Sequence, residues 1–284
     1  MEGNMNETQN PLAGYFRQPA IYIKLPSDGK FYPDGTLELS ENNEYPVLPM
    51  TAMDEISYRT PDALYNGQAV VSVMQSCVPN IKNAWAVPAC DIDTILIGIR
   101  IATYGHDLDL GVKCPKCDNE EDRTLDLRQA LDQIDSPDYD EPIIRGDLKI
   151  YLTPMSYKNL NENNAIQFEE QKVLQMLPDT EIDEEDKIVR MNQALSKITK
   201  MTVHALAQNI TSIVTPDATV SQTDYIADFL NNTDREFFNT IRDEITKRKR
   251  HSEIKPVSIE CSECSHTYNQ GYTMDMTNFS GAAS

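Results

Sequence analysis

The sequence predicts an α+β protein with an N-terminal short β segment, a helical core, a discontinuous zinc-ribbon-like β element and a mainly helical insertion. Three observations predict it. Short strand-like runs separated by glycine turns fill residues 20–49. Apolar residues at three- and four-residue spacing dominate the chain beyond residue 60. Two Cys-x-x-Cys motifs, each between strand-like runs, are separated by the 143 residues from 118 to 260.

Size and composition permit this architecture and narrow the function. The chain has 284 residues, 40% hydrophobic and 25% charged, enough to pack a sizeable core. Its 45 acidic residues against 25 Lys and Arg give a net charge of −20. Such a surface repels phosphate backbones, so nucleic acid is not an expected partner. The first residues, MEGNMNETQNPLAGYFRQP, lack the basic start and apolar run of a signal peptide. The longest apolar run, Ile95–Ile99, stops at Arg100, far short of the roughly 18 residues that span a membrane. We therefore expect a soluble protein made in a cytoplasm. There six cysteines stay reduced, which favours metal binding over disulfides.

Residues 1–18 read as a flexible or partner-ordered arm. A β segment comes next over 19–53, with runs at Ile21–Leu25, Thr36–Leu39 and Tyr45–Leu48 divided by the turns Pro26-Ser27-Asp28-Gly29 and Pro33-Asp34-Gly35. It is too small to stand alone. The helical core is expected over 54–126 with 255–274. Thr60-Pro61 signals a helix start, and that helix reaches about Cys77 with Leu64, Val70, Val71 and Met74 inward. Asp91 is placed to cap a second helix, which ends at Tyr104 before Gly105. Ile92, Ile95, Leu96, Ile99 and Ile101 form its apolar face. Leu108–Lys113 then alternates like a strand.

A strand near Arg123–Leu127 leads into the insertion, 127–254, which begins with an acidic linker at 135–141 and a strand at Leu148–Leu152. Helices are expected from Ser156 to about Leu177 and from a capping box at Thr180 and Asp183. The second of these carries Ile188, Met191, Leu195, Ile198, Thr202 and Leu206 at helical spacing. A short helix starts at Ser221, and another starts at a Thr233–Glu236 capping box with Phe237, Phe238, Ile241 and Ile245 apolar. Residues 275–284 form a tail.

The chemistry rests on Cys114-Pro115-Lys116-Cys117 and Cys261-Ser262-Glu263-Cys264. A two-residue spacer lets both thiolates of a knuckle face one ion, and four thiolates complete the tetrahedron of structural zinc. Cys114, Cys117, Cys261 and Cys264 are therefore expected to bind one structural Zn2+ per chain, with no open position for a catalytic water. A usual ribbon has roughly 15–20 residues between its knuckles. The longer loop costs about 2 kcal/mol more to close, against about 10–16 kcal/mol of apparent zinc binding at such sites. A redox role is disfavoured because neither knuckle opens a helix, the setting that lowers a thiol pKa. His266 is a minor alternative ligand, and Cys77 and Cys90 read as core residues.

Other features carry bland readings. His106-Asp107 comes just after a helix end, and His204 lies within a helical pattern. No GxSxG, HExxH, Walker or GxGxxG motif occurs, so no enzyme is indicated. The basic run Lys247–His251 reads as solvated cations complementing a helix C-terminus, with an acidic-partner or nucleic-acid patch as the alternative.

Two segments resemble a known family. Tyr22-Ile23-Lys24-Leu25-Pro26-Ser27-Asp28-Gly29-Lys30-Phe31-Tyr32, and the stretch from Arg59-Thr60-Pro61-Asp62 through Gln75-Ser76-Cys77-Val78-Pro79-Asn80-Ile81 to Ile99-Arg100-Ile101-Ala102-Thr103-Tyr104-Gly105, resemble baseplate hub proteins of T-even-like contractile-tailed bacteriophages. The Cys-x-x-Cys downstream of them matches the same pattern. The resemblance implies a non-enzymatic structural or assembly protein of the phage tail baseplate. It implies other baseplate and tail proteins as partners, no membrane, an oligomeric assembly, and a virion tail location after assembly in the host cytoplasm. A zinc-ribbon nucleic-acid or transcription-associated protein is the alternative that the ribbon alone suggests.

Overall fold

A β segment with so little apolar mass must lie on something larger, and the something is a pair of helices. The computed structural model describes residues 12–58, 67–177 and 183–274. Strands β1 (Ile21–Ile23) and β2 (Tyr45–Val47) pair antiparallel, with Ile21 opposite Val47 and Ile23 opposite Tyr45. The third expected run, Thr36–Leu39, forms no strand. Leu37 makes a lone bridge to Ile81, and the Lys82 N–H donates to the Thr36 carbonyl at 2.8 Å. After α1 (Ala52–Tyr58), α2 (Gln68–Cys77) begins behind Gly67 and buries Ala69, Val71, Val73, Met74 and Cys77. The start expected at Thr60-Pro61, and Leu64 with it, lie outside the described residues.

Helix α3 (Ala89–Tyr104) is the axis of this first core. It buries Ile92, Ile95, Leu96, Ile97 and Ile99 and stops at Gly105, whose φ of +87° favours glycine. Strand β1 lies directly on it, since a Cβ at Gly98 would come within 2.9 Å of Ile23 Cγ2. Asp91 is not the cap. Pro88 takes that position, and Asp91 sits fully buried in the first turn. Its carboxylate accepts hydrogen bonds from the Ser27 N–H (2.8 Å), the Ser27 hydroxyl (2.5 Å) and the Tyr32 hydroxyl (2.9 Å). The residue fastens the glycine turn 26–32 to the helix. Burial pushes its carboxyl up to about 6, against the opposing effect of the Ser27 and Tyr32 hydrogen bonds.

Strands β3 (Asp107–Lys113) and β4 (Glu120–Asp126) form a hairpin, with Lys113 opposite Glu120 at its closed end. Asp126 caps α4 (Leu127–Asp132), whose Leu127 and Ala130 join the first core. The insertion is less purely helical than expected. Strands β5 (Ile143–Arg145), β6 (Leu148–Leu152), β7 (Ile210–Val214) and β8 (Thr219–Val220) make a four-stranded antiparallel sheet. Of these, only β6 was expected.

Ser156 caps α5 (Tyr157–Met176) as expected, accepting from the Asn159 N–H at 3.2 Å. Helix α6 (Glu184–Ala207) begins after Asp183, and Thr180 lies outside the described residues. Helix α7 (Thr223–Asn232) is preceded by Gln222, one residue beyond the expected Ser221 start. Helix α8 (Arg235–His251) is capped by Asp234 rather than Thr233. The Asp234 carboxylate accepts from the Phe237 N–H at 3.0 Å and from Arg145 at 2.6 Å, and its charge suits a helix N-terminus.

Ile150, Leu152, Ile210, Ile213, Ile226, Leu230, Phe237, Ile241 and Ile245 bury together as a second core. Strands β9 (Val257–Glu260) and β10 (Thr267–Gln270) close the described chain as a second hairpin. Helix content of 46% and strand content of 19% among the described residues, in small antiparallel sheets, make the fold α+β. No helix among the described residues is long and apolar enough to cross a membrane.

Candidate metal centre

The two knuckles hang at the closed ends of the β3–β4 and β9–β10 hairpins, and their backbones repeat one another. The Cys114 N–H donates to the Asn119 carbonyl at 2.9 Å, and the Asp118 N–H returns to the Cys114 carbonyl at 3.0 Å. In the other hairpin the Cys261 N–H donates to the His266 carbonyl and the Ser265 N–H returns to the Cys261 carbonyl, both at 3.0 Å. The fourth residue after each leading cysteine has positive φ, +57° at Asp118 and +51° at Ser265. Two dissimilar sequences thus take the same turn, which swings the second thiol of each pair back toward the first.

The hairpins meet so that all four Sγ atoms lie within 4.8 Å of one another. Cys114 Sγ is 3.7 Å from Cys264 Sγ, and Cys117 Sγ is 3.6 Å from Cys261 Sγ, so the short distances run between knuckles. They are far too long for a disulfide. They match the roughly 3.8 Å edge of a tetrahedron with metal–sulfur bonds of about 2.3 Å. The donor set therefore fits a tetrahedral thiophilic ion such as zinc. The close sulfurs of Cys117 and Cys261 shift in opposite directions. Backbone N–H groups of Cys264 and Glu263 help to pull the Cys261 thiol down to about 7. The Asn119 N–H favours the Cys117 thiolate, but the thiols of Cys264, Cys114 and Cys261, together with burial, push it up to about 12.

Polar contacts join the hairpins outside the sulfurs. The Ser262 hydroxyl donates to Glu121 at 2.6 Å, and Arg123 donates to the Glu260 carbonyl at 2.8 Å. Cys114 and Cys261 are buried, Cys117 is exposed and Cys264 lies between. His266 is not part of the cluster; its ring stacks on Tyr268 with centroids 6.3 Å apart.

Cys77 and Cys90 are buried away from the cluster, and burial pushes the Cys77 thiol up to about 12. His106 Nε2 lies 3.5 Å from Asp107 in an exposed pair, and His204 occupies the last turn of α6. Most of the basic run lines an open cleft of about 520 Å³ with Asp135 and Asp243, where Lys255 pairs with Asp135 at 2.8 Å.

Arg248 departs from the solvated expectation. It is buried, donates to the Glu141 carbonyl at 2.7 Å and lies over the Tyr139 ring. Its spacing from Ile241 and Ile245 places it on the inner face of α8, a signal that the basic run masked. Sequence alone also missed the buried role of Asp91; the polar turn Pro26–Gly29 with Tyr32 was the visible trace of its partners.

The family model described as T4 bacteriophage base plate protein matches residues 21–279, which takes in both hairpins and both cores. The chain belongs to this family. Membership implies interaction with other phage tail proteins and a place in the virion tail. No curated protein and no solved structure matches this base plate chain.

Proposed function

We propose that the chain is a structural or assembly protein of the base plate hub, non-catalytic, with one structural Zn2+ held by Cys114, Cys117, Cys261 and Cys264. One observation carries the metal reading: two sequence-distant knuckles with congruent backbones bring four sulfurs to tetrahedral spacing. The ion supplies a cross-link and charge neutralisation. Residues of the chain do the rest, as the two turns aim the thiolates and Glu121, Ser262 and Arg123 hold the hairpins in register. Family membership supports the base plate part of this reading. We further propose residues 19–53 as a β segment. Residues 54–126 with 255–274 form the zinc-clasped core, 127–254 the insertion and 275–284 a tail, with assembly in the host cytoplasm.

The nucleic-acid alternative gains no support, because the charge is −20 and Arg248, the most buried member of the basic run, is engaged internally. Two measurements test the proposal. Metal analysis of the purified protein is expected to give one zinc per chain; a metal-free protein of unchanged thermal stability would remove the structural role. Phage lacking the gene are expected to assemble no complete base plates, and intact infectious tails without the protein would overturn the hub reading.

A further inference from the structure

Strand β1 has a free edge. Its sheet holds two strands, so β2 covers one side of it only. Tyr22 stands opposite Pro46, which has no N–H, so the bonds to β2 run through Ile21 and Ile23. The Tyr22 N–H and carbonyl therefore point away from β2, and no turn or loop among the described residues bonds to them. A cleft of about 510 Å³ runs along β1 and its following turn, with Leu131, Ile134 and Ser136 as the far wall. No residue of β2 lines it, so it borders the free edge.

Two features of the cleft ask for an occupant. Thr94 of α3 lines it and is 4% exposed, yet its hydroxyl has no hydrogen-bond partner among the described residues. The hydroxyls of Thr103, Thr199 and Thr246 turn back to the carbonyl four residues earlier, at 2.8 or 2.9 Å. That of Thr94 does not turn to Cys90. A buried hydroxyl left unpaired is unfavourable. The charge is incomplete as well. Lys24 pairs with Glu44 at 3.8 Å, while Asp28 and Asp132, both exposed, have no ion pair among the described residues.

We propose that the cleft takes an extended segment of another polypeptide, bearing a lysine or arginine, as a third strand on the free edge of β1. The backbone of the segment pairs with Tyr22, its cation meets Asp28 and Asp132, and a polar group of it satisfies Thr94. An unpaired strand edge is a template for such addition. The chain's own ends do not match. Residues 1–11 and 275–284 hold Glu2, Glu7 and Asp275 and no lysine or arginine, so the same carboxylates repel them. In an assembled base plate the segment belongs to a neighbouring subunit, a setting that rests on the assembly reading above.

The test uses the purified full chain with its metal and a displayed library of random dodecapeptides. Peptides are selected on wild type and depleted on Asp132→Lys, a change that suits the C-terminus of α4 and spares the fold. Survivors are expected to carry lysine or arginine and to bind the variant about tenfold more weakly. A synthetic copy of the most enriched peptide is expected to slow hydrogen exchange of the Tyr22 amide about tenfold or more, read by NMR. N-methylation of alternate peptide residues is expected to abolish binding in one phase and spare it in the other, because an added strand bonds through every second residue. Thr94→Val is expected to keep thermal stability and weaken the peptide about threefold; unchanged affinity removes that hydroxyl from the contact. No survivor of the depletion, enrichment of acidic peptides, an unprotected Tyr22 amide or indifference to the methylation phase each overturns the proposal. Competition by a peptide copying residues 1–11 or 275–284 gives the cleft to the chain's own end and overturns it too. None of these results bears on whether the protein is found in tails, so the base plate reading stands or falls separately.

Discussion

The cysteine centre and the second core both join segments remote in sequence, and they do so by opposite means. In the second core, β6, β7, α7 and α8 meet through buried isoleucine, leucine and phenylalanine side chains. Such burial is non-directional and spread over many atoms, at roughly 25 cal/mol per Å². The two hairpins have little of it. Their buried apolar side chains are Leu108, Val112 and Ile259, while β4 carries Glu120, Glu121, Asp122 and Arg123. A two-stranded hairpin is marginal by itself. The comparison teaches that a segment too charged to make a core can still be fixed, provided a few atoms are held in strict geometry.

The largest expected effect breaks the cysteine side alone. Cys114→Ser or Cys261→Ser should abolish stoichiometric zinc and remove amide protection from β3, β4, β9 and β10. Hydrogen exchange should leave β6 and β7 protected; loss of protection in both regions together would show that the halves do not fold separately.

The converse comes next. Ile241 is completely buried in the second core, so Ile241→Ala should cost about 2–5 kcal/mol in denaturant unfolding while zinc content stays at one per chain.

The smallest effect concerns Asp91, in the first core, whose carboxyl is raised from 3.8 to about 6 by burial. A raised carboxyl makes the folded state hold its proton more tightly, so Asp91 favours the fold at low pH and that contribution is lost as pH rises through about 6. Relative to Asp91→Asn, the wild type should therefore gain about 1 kcal/mol between pH 7 and 5. Acid loss of zinc affects both proteins alike and cancels in the difference. A constant difference across that range would show that Asp91 ionises normally.

Parts of this were legible in the residues. Gly105 ends its helix, Ser156 starts one, and Leu148–Leu152 is a strand, because each depends on local chemistry. The strand Ile210–Val214 was not legible, since a five-residue segment with apolar residues only at 210, 213 and 214 also fits the period of the helix before it. Thr233 lost its expected cap to Asp234, where a neighbouring carboxylate also meets Arg145 from another strand. Asp91 looked like a cap, and its partners at Ser27 and Tyr32 lie about sixty residues away.

By itself the sequence determined the α+β class, the two knuckles and their identical two-residue spacers, because propensity, turn chemistry and chelate bite are set within a few residues. Only the tertiary structure decided that the knuckles meet with sulfurs 3.6 and 3.7 Å apart, that Asp91 and Arg248 go inside, and that the apolar row of α6 stays outside. Those outcomes depend on which surfaces compete for burial across the whole chain, and no local window contains that competition.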